Sequence, residues 1–112
     1  IAQDEVFGPV LAIIPFDDDD EAVAIANDSQ YGLAAGVWTE SIARALQMSE
    51  RLQAGTIWIN TYRAVSYMSP FGGYKRSGIG RENGLSAIRH YVQEKSVWID
   101  MGNDVANPFV MR

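Results

Sequence analysis

A carboxylate and an aromatic ring stand near the start of the chain at a spacing that could bind a ligand. Glu5 and Phe7 are two residues apart, so in an extended backbone their side chains point the same way. A carboxylate beside a flat aromatic face suits a sugar diol and a planar ring. The alternative, on these two residues alone, is a solvated Glu next to a Phe that covers the rim of the core.

The residues that follow indicate the element that must position this pair. Gly8-Pro9 marks a turn, and residues 10–14 are an unbroken apolar run rich in β-branched side chains. Such a run is typical of a strand buried on both faces. The pattern predicts that Glu5 and Phe7 lie at the mouth of a sheet, where open α/β sheets bind ligands.

Two helices and two further strands follow in alternation. The acidic run 17–21 predicts a helix start, because carboxylates cap free N–H groups and match the helix dipole. Four consecutive aspartates cannot all face one ion, so this run does not predict a metal site. Residues 33–38 form the second predicted strand. The pattern so far is βαβ.

The second helix is predicted to begin near Thr39 or Ser41, either of which can cap it, and to end at Gly55 as a left-handed cap. Residues 56–59 follow as a third strand. This order of elements predicts an α/β fold with a parallel βαβαβ layer and right-handed crossovers. Met48 and Trp58 are expected in its core.

A long irregular segment, residues 60–80, carries Gly, Ser, Pro and aromatic residues without a clear period, which is typical of functional loops. The glycines after residue 71 suggest a phosphate-binding loop. Their spacing and the absence of a preceding strand exclude both the P-loop and the dinucleotide fingerprint. Lys75, Arg76 and Arg81 are therefore expected to be solvated or to pair with acids elsewhere in the assembly.

Four blocks of the chain, in order and spacing, resemble the C-terminal part of the aldehyde dehydrogenase superfamily. They are Glu5-Val6-Phe7-Gly8-Pro9, the run Tyr31 to Trp38, the run Gly55 to Asn60 followed by Pro70 to Gly78, and the run Glu94 to Ile99. The resemblance covers Gln3 to about Asp100. Even the ending, residues 107–112, resembles the C-terminus of bacterial members.

The resemblance implies roles for five residues. In that family the Glu of the first block holds the nicotinamide-side ribose hydroxyls of NAD(P)+ and the Phe packs beside the nicotinamide, which identifies Glu5 and Phe7 as cofactor-binding residues. Tyr62, Val65 and Phe71 would line the aldehyde entrance.

Many relatives have an aromatic residue where this chain has Val65, so a wider or more aliphatic tunnel is implied. The alternative is that Tyr67 and Met68 fill that space.

The resemblance also implies a reaction. In the family a Cys thiolate adds to the aldehyde carbonyl, a hydride passes to NAD or NADP, and an activated water releases the carboxylate. The 112 residues contain no Cys, and the chain starts with Ile1 at what we interpret as a cut or partial start. We therefore expect the isolated chain to be inactive and no catalytic residue to lie in it.

Residues 82–91 are predicted to form a third helix and residues 92–100 a final edge strand. His90 lies on that helix among polar neighbours, which is typical of a surface His rather than a catalytic base. By resemblance, residues 92–100 are the oligomerisation strand, which implies a homo-oligomer, dimer or tetramer. The expected divisions are 1–91 for the catalytic-domain part, 92–100 for this strand and 101–112 for a tail.

Charge and hydropathy limit the partners. The formal net charge of −5 argues against a nucleic-acid partner. The chain carries neither a signal-peptide pattern nor an apolar run long enough to span a bilayer, so we expect a cytoplasmic protein without a membrane partner. A second hypothesis, from a different class, is a truncated, non-catalytic relative that acts as a self-association module.

Overall fold

The computed structural model describes residues 1–102, 107 and 109. Within this part of the chain, two α-helices, four short strands and one 3-10 helix form the regular structure. They are α1 (Asp19–Asn27), β1 (Tyr31–Gly32), β2 (Ala34–Val37), α2 (Ile42–Arg51), β3 (Thr56–Ile59), β4 (Tyr74–Lys75) and a 3-10 helix (Leu85–His90). No helix among the described residues has the length and apolar character needed to cross a bilayer.

Both α-helices begin at a side-chain cap. The Asp18 carboxylate accepts the backbone N–H of Glu21 at 2.8 Å, and the Ser41 hydroxyl accepts that of Arg44 at 3.3 Å. Each cap satisfies an N–H group that has no partner inside its helix. The two helix starts predicted from the acidic run and from Ser41 are confirmed.

Helix α2 connects two parallel strands. β2 and β3 pair in parallel from Ala34 opposite Thr56 to Val37 opposite Ile59. β1 and β4 pair separately and antiparallel, with Tyr31 opposite Lys75. The structure is therefore α/β with a small mixed set of strands, and a βαβ unit at its centre.

The strand predicted at residues 10–14 is not formed. These residues adopt no regular structure, and Leu11 and Ile13 are 82% and 85% exposed. A strand requires a neighbour that accepts and donates its backbone hydrogen bonds, and no strand in the described part of the chain pairs with this segment. The parallel layer consequently has two strands rather than the predicted three.

The C-terminal predictions also differ from the structure. Residues 92–100 form no strand, because an edge segment needs a partner and the described residues offer none. The helix predicted over 82–91 is a 3-10 helix that starts after Gly84 with no side-chain cap. Its Leu85 is 96% exposed, so no apolar contact stabilises a longer helix. The predicted tail, 101–112, lies largely outside the described residues.

The chain buries few apolar side chains. The buried apolar side chains among the described residues are Val23 on α1, and Ala45 and Met48 on α2. Met48 is thus in the core as predicted, whereas Trp58 is half-buried. The Cα radius of gyration is 22.4 Å, whereas a compact domain of this length has about 13 Å. Most apolar faces therefore have no partner among the described residues.

Candidate functional site

Glu5 and Phe7 lie on an open N-terminal segment. Both side chains are exposed, Phe7 by 95%. The turn predicted at Gly8-Pro9 is present, since the Val10 N–H donates to the Gly8 carbonyl at 2.8 Å. Within the described residues, the Glu5 carboxylate has no recorded hydrogen bond or ion pair, so all of its acceptor capacity is available to a ligand. Because residues 10–14 form no strand, a shared direction of the two side chains stays a prediction.

Asn60 sets how the chain leaves β3. Its backbone N–H donates to the Val37 carbonyl at 2.9 Å, while its side-chain amide accepts the N–H of Thr39 and donates to the carbonyl of Thr39, both at 2.8 Å. Its φ is 53°, a left-handed conformation that Asn tolerates better than most residues. Asn60 therefore ties the carboxyl ends of β2 and β3 together where the loop begins.

Tyr62 is held by its neighbours rather than by the core. Its ring packs edge-on against Trp58, with centroids 5.6 Å apart, and the Arg63 guanidinium carbon lies 5.6 Å from the Tyr62 centroid. The Trp58 indole N–H donates to the carbonyl of Ala64 at 2.8 Å. Val65 follows directly and is exposed. Trp58, interpreted from the sequence as a core residue, thus also fixes the start of the loop.

Phe71 lies at the other end of the loop, half-buried. It exchanges two backbone hydrogen bonds with Glu82, each 2.8 Å long, in an antiparallel bridge. Phe71 and Glu82 line a cavity of about 380 Å³ together with Leu33, His90 and other residues; Tyr62 and Val65 are not among its lining residues. Phe71 therefore contacts the segment of residues 80–91, whereas Tyr62 packs against Trp58 of β3.

The cations of the glycine-rich block bond mainly to backbone carbonyls, and none forms an ion pair with an acid among the described residues. The Lys75 ammonium donates to the carbonyls of Asn27 and Ser29 at 2.7 and 2.9 Å, closing the end of α1. Arg81 donates to the carbonyls of Gly73 and Gly80, both at 2.8 Å. Lys75 is exposed, as expected, whereas Arg81 is half-buried. Both side chains brace the loop, and their pairing with acids elsewhere in an assembly stays a prediction.

Arg76 is the third cation of this block. Its side chain donates to the side-chain oxygen of Gln30, and its backbone N–H donates to the carbonyl of the same residue at 3.0 Å. This pair lies beside the short β1–β4 ladder. The block therefore fastens the loop to the α1–β1 connection.

No group of three or more His, Cys, Asp or Glu side chains that could hold a metal ion occurs among the described residues. What the described site offers is an unpartnered carboxylate and ring at Glu5 and Phe7, and an aromatic loop braced at both ends.

The comparisons with known proteins cover nearly all of this chain. The model of the aldehyde dehydrogenase family matches residues 1–97. A betaine aldehyde dehydrogenase of Brucella melitensis is 51% identical over 109 residues, which are 97% of this chain and 22% of that protein.

Solved structures agree. A Mycobacterium tuberculosis aldehyde dehydrogenase complexed with NAD+ superposes with a TM-score of 0.81 at 55% identity, covering 93% of this chain and 21% of that one. An NAD+ complex of aldehyde dehydrogenase from Bacillus cereus gives 0.82 at 50% identity, covering 89% and 20%. The chain spans about a fifth of the length of these relatives.

Proposed function

Because this chain belongs to the aldehyde dehydrogenase family, we propose that it forms the C-terminal part of an enzyme that oxidises an aldehyde to a carboxylate with NAD+ or NADP+. The observation that carries the proposal is the superposition of 93% of the chain on a relative solved with NAD+, at 55% identity. At 55% sequence identity, a similar backbone path supports a shared reaction as well as a shared fold.

We propose that Glu5 and Phe7 position the cofactor. When bound, NAD+ or NADP+ supplies the hydride acceptor of the reaction. An ionised carboxylate only accepts hydrogen bonds, and its two oxygens suit the two O–H groups of a ribose diol. The exposed carboxylate of Glu5 has no competing partner among the described residues. Phe7, with its ring 95% exposed, would limit where the nicotinamide ring can lie.

Tyr62, Val65 and Phe71 are proposed to line the aldehyde entrance. They belong to one loop that is braced at its start by Asn60 and near its end by the Phe71–Glu82 bridge. A braced loop holds the aldehyde in one orientation, and orientation contributes several kcal/mol to rates of this kind. Val65 in place of a ring would leave a wider passage.

The remainder of the enzyme would come from outside this segment. The chain contains no Cys, so the nucleophile must be supplied by another part of the protein. We propose the divisions 1–91 as part of the catalytic domain, 92–100 as an oligomerisation strand and 101–112 as a tail. Residues 92–100 would pair with a neighbouring subunit of a dimer or tetramer, which would cover Val97, Trp98 and Ile99.

An activity measurement on two samples tests this proposal. The complete protein that contains this segment should form NADH or NADPH when an aldehyde is added, whereas the isolated 112 residues should form none, because they carry no nucleophile. Absence of turnover by the complete protein with a panel of aldehydes and both cofactors would contradict the proposal. Turnover by the isolated chain would contradict the assignment of chemistry to the rest of the protein.

A further inference from the structure

Arg63 is held in a conformation that its residue type does not favour. Its φ is 58°, in the left-handed region where a side chain with a Cβ is strained. The guanidinium lies over the Tyr62 ring, with 5.6 Å between its central carbon and the ring centroid, a geometry that a cation–π attraction stabilises. Backbone strain of this kind clusters at ligand sites.

The sequence segment around Arg63 carries cations and no acids. Residues 60–81 contain four cations, Arg63, Lys75, Arg76 and Arg81, and no Asp or Glu. The other three donate to carbonyl groups or to Gln30. Within the part of the chain that the structure describes, the Arg63 guanidinium has neither an ion pair nor a hydrogen bond, and its residue is exposed. Its five N–H donors are therefore available to a ligand.

We infer that the substrate is an aldehyde with a carboxylate at its far end, and that Arg63 binds this carboxylate. The inference deepens the proposed function and rests on it, because it requires that the loop of Tyr62 and Val65 line the aldehyde entrance. A guanidinium matches a carboxylate through two parallel hydrogen bonds. A positive charge on a loop whose residues 60–81 include no Asp or Glu also attracts anions from a distance.

The same geometry disfavours a cationic aldehyde. A quaternary ammonium is bound by the open faces of aromatic rings, but the Arg63 guanidinium already lies over the Tyr62 ring. Val65, which follows in the same loop, is aliphatic and provides no second ring. The substrate inferred for this chain therefore differs from the one in the name of its Brucella relatives, betaine aldehyde dehydrogenase. Betaine aldehyde carries a permanent positive charge.

Three aldehydes of matched size test the inference on the complete protein: 4-oxobutanoate, which is anionic, 4-methylpentanal, which is neutral, and betaine aldehyde, which is cationic. The measured quantity is the ratio of kcat/KM for the anionic to the neutral aldehyde, because the fraction of folded enzyme cancels in this ratio. We expect Arg63→Gln to lower the ratio about tenfold, the loss of one charge-assisted contact. Arg63→Lys should retain part of the preference for the anionic aldehyde, because it keeps the positive charge.

Arg76→Gln is the matched control, since it removes an exposed cation of the same loop whose side chain bonds to Gln30. Arg76→Gln should change the kcat/KM ratio by no more than about twofold relative to the native protein, because an exposed charge contributes little energy. An unchanged ratio in Arg63→Gln, or a preference of the native protein for the neutral or cationic aldehyde, would overturn the inference while the proposed function stands. No turnover of any aldehyde by the native protein would instead overturn the proposed function.

Discussion

At the scale of single residues, Asn60 has more effect on the site than its place after a strand indicates. Its side chain makes two hydrogen bonds to the backbone of Thr39, and its backbone takes a φ of 53°. Substitution of Asn60 by Gly would remove the side-chain hydrogen bonds but still tolerate the positive φ. Substitution by Ala would remove the hydrogen bonds and also disfavour the positive φ. The two contributions can therefore be separated.

We expect Asn60→Gly to lower the free energy of unfolding by about 1 to 2 kcal/mol, from the lost hydrogen bonds, and Asn60→Ala by about 1 kcal/mol more, from the strained φ. Thermal denaturation of the complete protein should rank the melting temperatures accordingly. Asn83 is the control: it has a φ of 62° and no recorded side-chain hydrogen bond, so Asn83→Gly should be nearly neutral. Equal melting temperatures for Asn60→Ala and the native protein would contradict this role.

Sequence reasoning predicted local residue roles well and distant ones poorly. The caps at Asp18 and Ser41 depend on neighbours three residues away, so their residue types suffice to predict them. The bond from Lys75 to Asn27 spans 48 residues, and nothing in the local pattern indicates it. The prediction that Gly55 ends α2 as a left-handed cap is wrong: α2 ends at Arg51, and the φ of Gly55 is not positive. A Gly is needed at this position because an added Cβ would collide with the Gly72 carbonyl, a contact that the local pattern does not indicate.

At the scale of elements, α1 and α2 are joined by ion pairs and border one apolar cavity. Met48 is 7% exposed. It borders an apolar cavity of about 380 Å³ that side chains of α1, α2 and β2 also line. Two ion pairs run between the helices, Arg44 with Asp19 at 3.0 Å and Arg51 with Asp20 at 2.6 Å. In each pair one side chain is more than half exposed, Arg44 by 55% and Asp20 by 86%, so the burial of Met48 should contribute more to stability than either ion pair.

Met48→Ala should lower the local stability of α1 and α2 by about 2 to 5 kcal/mol, because it removes a buried side chain and enlarges a cavity. Arg44→Gln, which breaks one ion pair, should cost less than about 1 kcal/mol. Hydrogen exchange of the α1 and α2 amides in the complete protein measures both changes. A larger loss of protection in Arg44→Gln than in Met48→Ala would show that the ion pair is the stronger contact.

The elements that the sequence predicted correctly are those whose partners lie within the chain. β3 (Thr56–Ile59) was predicted with its observed bounds, and the bounds predicted for β2 (Ala34–Val37) differ from the observed ones by one residue at each end. Residues 10–14 and 92–100 have a strand pattern as clear, yet neither forms a strand here. A pattern indicates which residues can pair, but pairing also needs a second strand, and none is present among the described residues.

At the scale of the whole molecule, the chain exposes far more surface than a folded domain of its size. Its accessible surface is 10099 Å², whereas a compact protein of this mass has about 6,100 Å². The extents are 74 × 34 × 30 Å, yet 93% of this elongated chain superposes on a solved relative with a TM-score of 0.81. Its shape therefore matches that of the corresponding fifth of a larger protein, in agreement with the proposal that other parts cover it.

The proposed oligomerisation strand gives a prediction at this scale. Ser96→Pro removes one backbone N–H donor from residues 92–100 and fixes φ, both unfavourable for a strand that pairs with a partner. We expect the complete protein with this change to dissociate into smaller species, measured as molar mass by light scattering. Ser96→Ala is the control, and should retain the native mass. An unchanged mass for Ser96→Pro would remove this segment from the interface.

The central claim is that Glu5, with Phe7 beside it, positions a nicotinamide cofactor for hydride transfer, and a single-turnover measurement on the complete protein tests it most directly. Glu5→Gln keeps the size of the side chain and removes its charge, so hydride transfer should slow by about tenfold to a hundredfold, the loss of charge-assisted hydrogen bonds. Glu50→Gln, at an exposed Glu of α2 with no recorded partner, should leave the rate unchanged. A Glu5→Gln rate equal to that of the native protein would contradict the claim.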